Sequence, residues 1–564
     1  MARLRIWSKR ITYFAVFLLL AQNFWSIGGS SGHEQFSEPN DTRLGRTSRE
    51  AWLGGVPLFD APPAQKPQDR SSHSSRLVEG QVKAVVIVAR HGDRAPQNYA
   101  PAYATGTRRN KYKRFPFDKT TWDVDYGELT ALGMYQCYKF GRFLRKKYIE
   151  GHPENKLLRN RYNHEETHVR ATDVDRTLVS AAAVMHGLYP AESAPSRDHR
   201  PYSQDRRYQI PGGFQYVPVH TRLYLDDRLL DGSGKGRCKL WDIVTKRILK
   251  SDIVYGELQR HVRLYEALPS LTNMSSVSFQ NMKKKQQLAL AATVRDVRVC
   301  QRSHMIPVNP WVSQFDDDLE EVTARLNSAK WDGSGLGSLV GGRLLQSIAT
   351  RLETAIEADN GNMHVLARAK DECNRKGHDG DEIGNCYRKL VYYSAHDTTI
   401  FDVRSALGVS AVVEGVAPYL SHVIFELRRM GRKGDFRVFV YAGHYDSEPA
   451  PLHGPFCVGN FSCSASSFFA WVRNALPRNI TEACERTDLA SEILRRALGN
   501  GSVESGGTAA ENSAGRDQIR RGGMLQWLLN HGPVIFAAIF ITVLALPTVF
   551  RLWKRSAPLE YVPI

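Results

Sequence analysis

Apolar and polar residues alternate in blocks along the chain, and the first clear block is a strand. Residues 82–90, VKAVVIVAR, form a continuous run of β-branched and small residues, which is typical of a strand buried on both faces of a parallel sheet. The polar sequence RHGDR, residues 90–94, follows at once. A cluster of charges there is awkward in a core, so the strand is expected to end at a crevice.

Two helices are predicted after this strand. The apolar positions that recur at roughly helical spacing in the first are Leu129, Leu132, Tyr135, Phe140 and Leu144. The second covers residues 171–190, ATDVDRTLVSAAAVMHGLYP. Thr172 or Asp173 is its expected N-cap, and Pro190 lies beyond its end.

Strand signals return late in the chain. Residues 388–408 contain the run LVYYSA, the polar turn HDTT and then a helical pattern. Residues 422–443 predict two strands around a glycine-containing turn. Residues 225–345 show no strand signal and are expected to be mainly helical. The pattern predicts a three-layer α/β domain that carries an inserted, mainly helical smaller domain.

Two apolar segments flank this region. Residues 1–28 combine a basic start, an apolar run and small residues, which predicts a secretory signal peptide, with an uncleaved signal anchor as the alternative. Residues 524–550 are long and apolar enough for a transmembrane helix. Arg551, Lys554 and Arg555 follow directly and predict a cytosolic C-terminus.

The remaining boundaries come from composition. Residues 29–80 are rich in Gly, Ser, Pro and charge, which predicts a disordered linker. The catalytic domain is expected over residues 81–484, a lumenal stalk over 485–523 and a cytosolic tail over 551–564. The tail ends in YVPI, from Tyr561 to Ile564, which fits a signal read by a sorting adaptor.

Bulk composition limits the classes of binding partner that the chain is expected to have. The chain has 564 residues, of which 42% are hydrophobic and 24% charged, as in an ordinary globular protein. The formal net charge of +18 would suit nucleic acid, membrane surfaces or anionic small molecules. The basic residues are dispersed, with neither zinc-finger spacing nor an RNA-binding aromatic signature. We therefore expect no nucleic-acid partner.

Eight cysteines lie between the two apolar segments, which suggests disulfides in a secreted context. The nearest pairs are Cys373 with Cys386 and Cys457 with Cys463. Metal binding is the weaker alternative because no His/Cys cluster has ligand spacing. Glycosylation sequons fit the same lumenal side, and they occur at Asn40, Asn273, Asn460, Asn479 and Asn500.

The polar sequences at two strand ends carry the candidate chemistry. Arg90 and Arg94 offer planar donor forks for phosphate oxygens, and His91 between them is a candidate nucleophile. His396 and Asp397 supply a further donor and a proton source. Each feature alone is ordinary, since an RHG sequence is more often a surface turn or a satisfied core histidine. Their placement after two strands, where open α/β sheets bind ligands, favours a shared site.

Arg170, just before the second helix, is a third candidate, because helix N-termini also favour anions.

With these residues in place, the sequence resembles the histidine acid phosphatase family, and most closely its membrane-anchored lysosomal and secreted branch. The segments that carry the resemblance run from about residue 82 to 463, and they are RHGDRAP, GELTALGMYQ, VRATDVDRTLVSA, YVPVHT, YSAHDTT and APYLSHVIFEL.

The resemblance implies a phosphoglycerate mutase-like fold and assigns roles. His91 would accept the phosphoryl group and Asp397 would protonate the leaving group. The residues that would hold the phosphate oxygens are Arg90, Arg94, Arg170 and His396. Neighbouring guanidinium groups should keep the pKa of His91 low, so that its ring is neutral when it attacks. We expect an acidic optimum, no cofactor or metal requirement, and inhibition by phosphate-like oxyanions.

Several alternatives stay open. The protein could be a substrate-restricted relative acting on a phosphosugar, an inositol phosphate or a lysophosphatidate. It could also be a membrane glycoprotein without turnover, although the intact set of polar residues argues against this. Mutase-like relatives are disfavoured by Arg94, Pro96 and the His-Asp pair. A homodimer is an open alternative for the assembly. The expected location is a lysosome-like compartment or the cell surface.

Overall fold

A computed structural model of the protein describes residues 80–97, 122–190, 215–362, 364–365, 367 and 387–498, except 273, 413–415, 432–433, 446 and 458–460. All of these residues belong to the unit Leu77–Ile564. The predicted signal peptide, linker, transmembrane helix and tail lie outside them. Within the part of the chain that the structure describes, no helix is long and apolar enough to cross a membrane.

The described strands form one seven-stranded mixed sheet in the order β2-β3-β1-β4-β5-β6, with β7 also beside β5. They are β1 (Gln81–Arg90), β2 (Thr167–Ala171), β3 (Leu390–Ala395), β4 (His422–Met430), β5 (Asp435–Gly443), β6 (Ala450–Pro451) and β7 (Ser462–Ser464). β1, β2 and β3 run parallel, whereas β4 and β5 form the predicted antiparallel hairpin. The predicted mixed α/β class is confirmed.

The parallel strands end together because of their register. Arg90 at the end of β1 is paired with Ala395 at the end of β3, and Ala171 of β2 is paired with Ser394. The segments that follow β1 and β3 therefore leave the sheet at the same edge. This register explains why two polar sequences about 300 positions apart in the chain form one site.

Helices cover both faces of the sheet. They are α1 (Ala131–Tyr148), α2 (Asp175–Leu188), α10 (Gly337–Asp359), α11 (Asp397–Ala406) and α12 (Ala465–Ala475). On one face, alternate β1 residues such as Val85 and Ile87 pack with the side chains of α1 and α2. On the other face, Val86 and Val88 pack with α10, α11 and α12. The alternation along β1 thus divides a continuous apolar run between two cores.

A run of helices separates β2 from α10. Its members are α3 (Lys239–Ile248), α4 (Asp252–Arg260), α5 (Val262–Leu271), α6 (Ser276–Gln280), α7 (Lys284–Ser303), α8 (Pro310–Ser313) and α9 (Asp316–Ser328). The five-residue π-helical turn Ala329–Gly333 follows α9. These helices share their own apolar core, in which Trp241, Leu268 and Val294 are buried. As the sequence predicts, the described part of residues 225–345 contains no strand.

Two more helices extend the folded region, and they are α13 (Ile480–Glu485) and α14 (Ala490–Leu498). Ala490 and Leu494 of α14 are buried in the core of the helical insert. The predicted domain end at residue 484 is therefore too early, because an amphipathic helix continues to pack beyond it. The polar side of this helix is what made it look like part of the stalk.

Two disulfides tie the described chain. Cys457–Cys463 closes a short loop, as the sequence predicts. Cys238–Cys484 joins the start of α3 to α13 across 246 positions. Cys137 and Cys300 are buried free thiols. The other predicted local pair, Cys373 with Cys386, lies outside the described residues.

Candidate active site

The imidazole of His91 lies at the shared strand edge and is only 2% exposed. Its Nδ1 is 2.8 Å from the carbonyl oxygen of Gly92. A carbonyl can only accept, so Nδ1 carries the hydrogen and Nε2 of the neutral ring is left with a free electron pair. The backbone of the motif itself thus prepares one ring nitrogen as a nucleophile.

The surroundings of His91 keep the ring neutral. Burial is the main cause of a pKa well below its ordinary value, and the charges of Arg90, Arg176 and Arg94 lower it further. The sequence predicts this direction through neighbouring guanidinium groups, and Arg176 is a neighbour that it does not identify. The imidazole can therefore act as a nucleophile even in acid.

Arg90 is held in place from two sides. Its guanidinium lies 4.4 Å from the ring centroid of Tyr419, and Nη1 donates to the carbonyl of Ala417. Nη2 is 3.2 Å from the carboxylate of Asp397. Its Nε–H is buried and has no hydrogen-bond partner among the described residues, so it can donate to an anion.

Arg94 is positioned by a residue of the helical insert. Asp296 of α7 accepts from Nη2 at 2.7 Å and from Nη1 at 3.2 Å, which is a bidentate pair. The same carboxylate accepts the backbone N–H of Gln97 at 2.9 Å. Burial raises the pKa of Asp296, but Arg94 outweighs it and holds the pKa below the ordinary range. Asp296 stays charged and fixes the guanidinium.

His396 and Asp397 stand where β3 gives way to α11. His396 Nε2 is 2.9 Å from the hydroxyl of Thr172, and its ring centroid is 5.8 Å from that of His91. Burial is the main reason that its pKa falls to about 3, and nearby arginines add to the effect. The histidine is therefore neutral in mildly acidic solution, and it can donate a hydrogen bond without adding charge.

Asp397 is the first residue of α11 and is close to Arg90. Burial raises its pKa, but the charge of Arg90 and other nearby groups outweigh this and lower it. The backbone N–H of Thr398 also donates to the carboxylate at 2.8 Å. In the ligand-free protein the carboxylate is therefore ionised, so it must gain a proton before it can protonate a leaving group.

Arg170 and Arg176 come from neighbouring elements, the strand β2 and the helix α2. Arg170 is 2% exposed and donates to the fully buried carboxylate of Asp227 at 2.8 Å. Arg176 lies in the first turn of α2, and its charge lowers the pKa of both His91 and His396.

The position at which α2 begins explains why Arg176 lies close to the two imidazoles. The helix begins at Asp175 with Val174 as its N-cap, and not at Thr172 or Asp173. Thr172 instead uses its hydroxyl on His396. The later start leaves residues 172–174 as a turn at the strand edge, so the first-turn residue Arg176 comes close to the imidazoles. The sequence DVDRT contains this arginine, but no local signal marks it as part of the site.

Gly92 is required by a close approach. A Cβ at this position would lie 2.5 Å from the carbonyl oxygen of Gly133 and 2.9 Å from Sγ of Cys137, both on α1. The backbone of the motif thus packs directly on a helix. The contact that excludes a side chain here is therefore with α1.

A second link joins the motif to the insert. His304, the C-cap of α7, has Nε2 2.5 Å from a carboxylate oxygen of the fully buried Asp93. The hydroxyl of Thr130 donates to the same oxygen at 2.6 Å. Asp93 and Arg94, adjacent in the motif, are therefore held by two residues of one insert helix, His304 and Asp296. Sequence spacing gave no signal for either.

A cavity of about 470 Å³ opens beside these residues. Arg94, Asp397 and Thr398 line one part of it, and the remaining lining comes largely from the helical insert. The site therefore has a charged end at the carboxyl ends of the parallel strands. Beside it, a space between the α/β domain and the helical insert can hold an organic group.

Comparison with known families matches residues 81–441 to the histidine phosphatase superfamily, branch 2. The chain belongs to this family. The predicted resemblance is thus confirmed, and the match includes all of the polar residues assembled above.

Curated relatives of this histidine phosphatase include two kinds of acid phosphatase. The prostatic acid phosphatase of Rattus norvegicus is 26% identical over 421 residues, which is 73% of this chain and 92% of that protein. The lysosomal acid phosphatase of Homo sapiens is 25% identical over 409 residues, which is 72% of this chain and 80% of that protein.

Solved structures with a similar chain path include bacterial phytases. The phytase of Hafnia alvei in complex with tartrate has a TM-score of 0.47 and 17% identity, and covers 72% of this chain and 99% of its own. The phytase of Citrobacter braakii has a TM-score of 0.45 and 17% identity, and covers 70% of this chain and 98% of its own.

Proposed function

We propose that the protein is an acid phosphatase that hydrolyses phosphate monoesters through a phosphohistidine on His91. The observation that carries the proposal is the free Nε2 of a buried, neutral His91 among arginines. The names of its relatives, prostatic and lysosomal acid phosphatase, support the same reaction.

The first step forms a bond between Nε2 of His91 and phosphorus while the ester P–O bond breaks. The proton donor to the departing oxygen is Asp397. Arg90, Arg94 and Arg176 stabilise the charge on the three other phosphate oxygens, with His396 as a neutral donor. Arg176 is included because its charge acts on both imidazoles. Arg170, which pairs with Asp227, is the alternative third arginine.

The proton on Asp397 enters with the substrate. The carboxylate is ionised in the free protein, and a phosphate monoester has a second pKa of about 6, so it is largely a monoanion in acid. The monoanion passes its proton through Asp397 to the leaving oxygen. In the second step Asp397 takes a proton from water, water oxygen bonds to phosphorus, and the N–P bond breaks. An acidic optimum follows from the substrate's protonation.

Trapping the intermediate tests the proposal. Wild-type protein is mixed with a ³²P-labelled aryl phosphate at pH 5 and quenched in alkali, because N-linked phosphate is hydrolysed by acid. We expect label on the peptide containing His91, and neither label nor phosphate release in His91→Ala. Turnover by His91→Ala comparable to wild type would overturn the assignment.

The role of Asp397 has a separate test. Asp397→Asn should slow alkyl phosphates, whose leaving groups need a proton, far more than 4-nitrophenyl phosphate, whose leaving group does not. An equal loss on both esters would show that Asp397 binds substrate but donates no proton.

Location is the second part of the proposal. Relatives named lysosomal and prostatic acid phosphatase suggest a lysosomal or secreted protein, and the disulfides support an oxidising compartment. We propose a lumenal catalytic domain anchored by residues 524–550, with Tyr561 and Ile564 in a sorting signal. Carbonate extraction of membranes should retain the full chain and release one that ends at residue 523. Release of both would contradict the anchor.

A further inference from the structure

The cavity beside Asp397 is a groove that follows one stripe of α7. Residues of this helix at successive turns line it, and they are Lys285, Leu288, Ala289, Ala292, Thr293 and Asp296. The stripe spans eleven positions, or about 16 Å at the rise of an α-helix. Its Asp296 end meets Arg94 of the catalytic motif. The groove thus begins at the reacting centre and runs away from it.

Apolar side chains form most of the walls. Leu288 and Leu326 come from the insert, Phe401 from α11, and Trp331 from the π-helical turn. Trp331 is fixed because its indole N–H donates to the buried carboxylate of Asp402 at 2.7 Å. Ala289 and Ala292 leave the space that larger residues would fill. The groove is therefore pre-formed, and its depth depends on two alanines.

The charges along the groove do not favour a polyanionic guest. Arg94 is engaged by Asp296, and Arg295 by Glu320 at 2.8 Å. The lysines of the lining are Lys330, beside the ring of Trp331, and the exposed Lys285 at the far end. A leaving group that carries several phosphates would therefore meet mainly apolar walls, two paired arginines and two lysines.

We propose that this groove binds the leaving group of the ester and selects elongated leaving groups with an apolar body. The inference rests on the proposed phosphatase function and adds the class of substrate: amphiphilic phosphate monoesters. The phosphate lies among Arg90, Arg94 and Arg176, and the apolar body lies along α7. Burial of each methylene on these walls stabilises the complex and the transition state alike.

A series of 4-alkylphenyl phosphates tests the proposal. The phenol leaving groups have nearly equal acidity, so differences in kcat/KM report contacts of the alkyl chain and not the chemistry. From phenyl to 4-hexylphenyl phosphate, below micellar concentrations, we expect kcat/KM to rise at least tenfold, with a limit of about fourfold per buried methylene. A flat series, or faster turnover of inositol hexakisphosphate than of every alkylphenyl ester, would overturn the proposal.

Two alanine variants measure how far along the groove the alkyl chain extends. Ala292 and Ala289 lie about 6 and 10 Å from Asp296 along the helix. Ala289→Phe should lose most of the hexyl advantage. Ala292→Phe should lose the advantage already at the ethyl ester. Ala470→Phe, at an exposed position of α12 outside the groove, is the matched control and should behave as wild type.

The outcomes separate the two proposals. If phenyl phosphate is hydrolysed but Ala289→Phe leaves the length dependence unchanged, the groove proposal is wrong and the phosphatase stands. If wild type hydrolyses no ester in the series, the phosphatase proposal itself fails. Thermal unfolding of each variant shows whether it is folded, and the exposed position 289 keeps the test available if Ala292→Phe does not fold.

Discussion

Asp296 accepts from both terminal nitrogens of Arg94, although the two residues are 202 positions apart. One belongs to the helical insert and the other to the catalytic motif. The insert therefore does more than cover the site, because it fixes the direction of a guanidinium expected to bind phosphate. His304, the C-cap of the same helix, contacts the carboxylate of the neighbouring Asp93 through Nε2.

The first prediction concerns this pair. Asp296→Asn should lower kcat/KM for aryl phosphates by tenfold or more, because Arg94 loses its charged partner and its fixed orientation. Asp316→Asn is the matched control, since Asp316 forms the same bidentate pair with Arg298 of α7 away from the site. Steady-state kinetics at pH 5 measure both. Equal losses would show that the Asp296 effect is one of general stability.

The second prediction separates the two arginines. Arg176→Ala should lower kcat/KM at least a hundredfold with little loss of stability, because its charge acts on the imidazoles. Arg170→Ala leaves the carboxylate of Asp227 buried without its cation, so it should destabilise the fold by about 3–5 kcal/mol.

A double variant controls for that orphaned charge. Arg170→Gln with Asp227→Asn removes both charges and should retain kcat/KM within about fivefold of wild type. Kinetics and urea unfolding on the same preparations provide the comparison. A hundredfold loss in the folded double variant, with Arg176→Ala active, would restore Arg170 to the phosphate site.

The third prediction is a pH dependence of stability. Burial raises the pKa of Asp402 to about 7 from an ordinary 3.8. Between these values the folded protein binds a proton that the unfolded chain does not, so stability falls as pH rises through this window. This group alone should make wild type about 2 kcal/mol less stable at pH 7 than at pH 5.

Asp402→Asn removes this titration and should flatten the difference between pH 5 and pH 7 by a similar amount. Urea unfolding at both values measures it. Buried neutral histidines such as His91 and His422 act in the opposite direction, but they are common to both proteins and cancel in the comparison. The exposed Asp317→Asn is the control. An unchanged difference in Asp402→Asn would show that Asp402 does not titrate there.

The sequence predicts the parts of the site that depend on strands. The apolar run before Arg90 and the run before His396 identify two parallel strands, and their carboxyl ends meet at one edge. It also predicts the hairpin and the helical character of the insert. These features depend on local periodicity, which one sequence contains.

The residues that the sequence misses depend on packing between distant elements. Arg176 comes close to the imidazoles because of where α2 begins, and Asp296 carries no local motif at all. Tyr419, which lies against Arg90, stands in the quoted segment APYLSH without a signal that marks it as part of the site. The pairing of Cys238 with Cys484 likewise needed the fold of the insert.

The position of α14 has a practical consequence for producing the protein. A fragment that ends at residue 441, where the family match ends, would lack Cys484, so Cys238 would be left as a free thiol. It would also lack α14, so the apolar surface of the insert that this helix covers would be exposed. Residues as far as Leu498 therefore belong in any shortened version of the protein that is meant to keep the core of the insert covered.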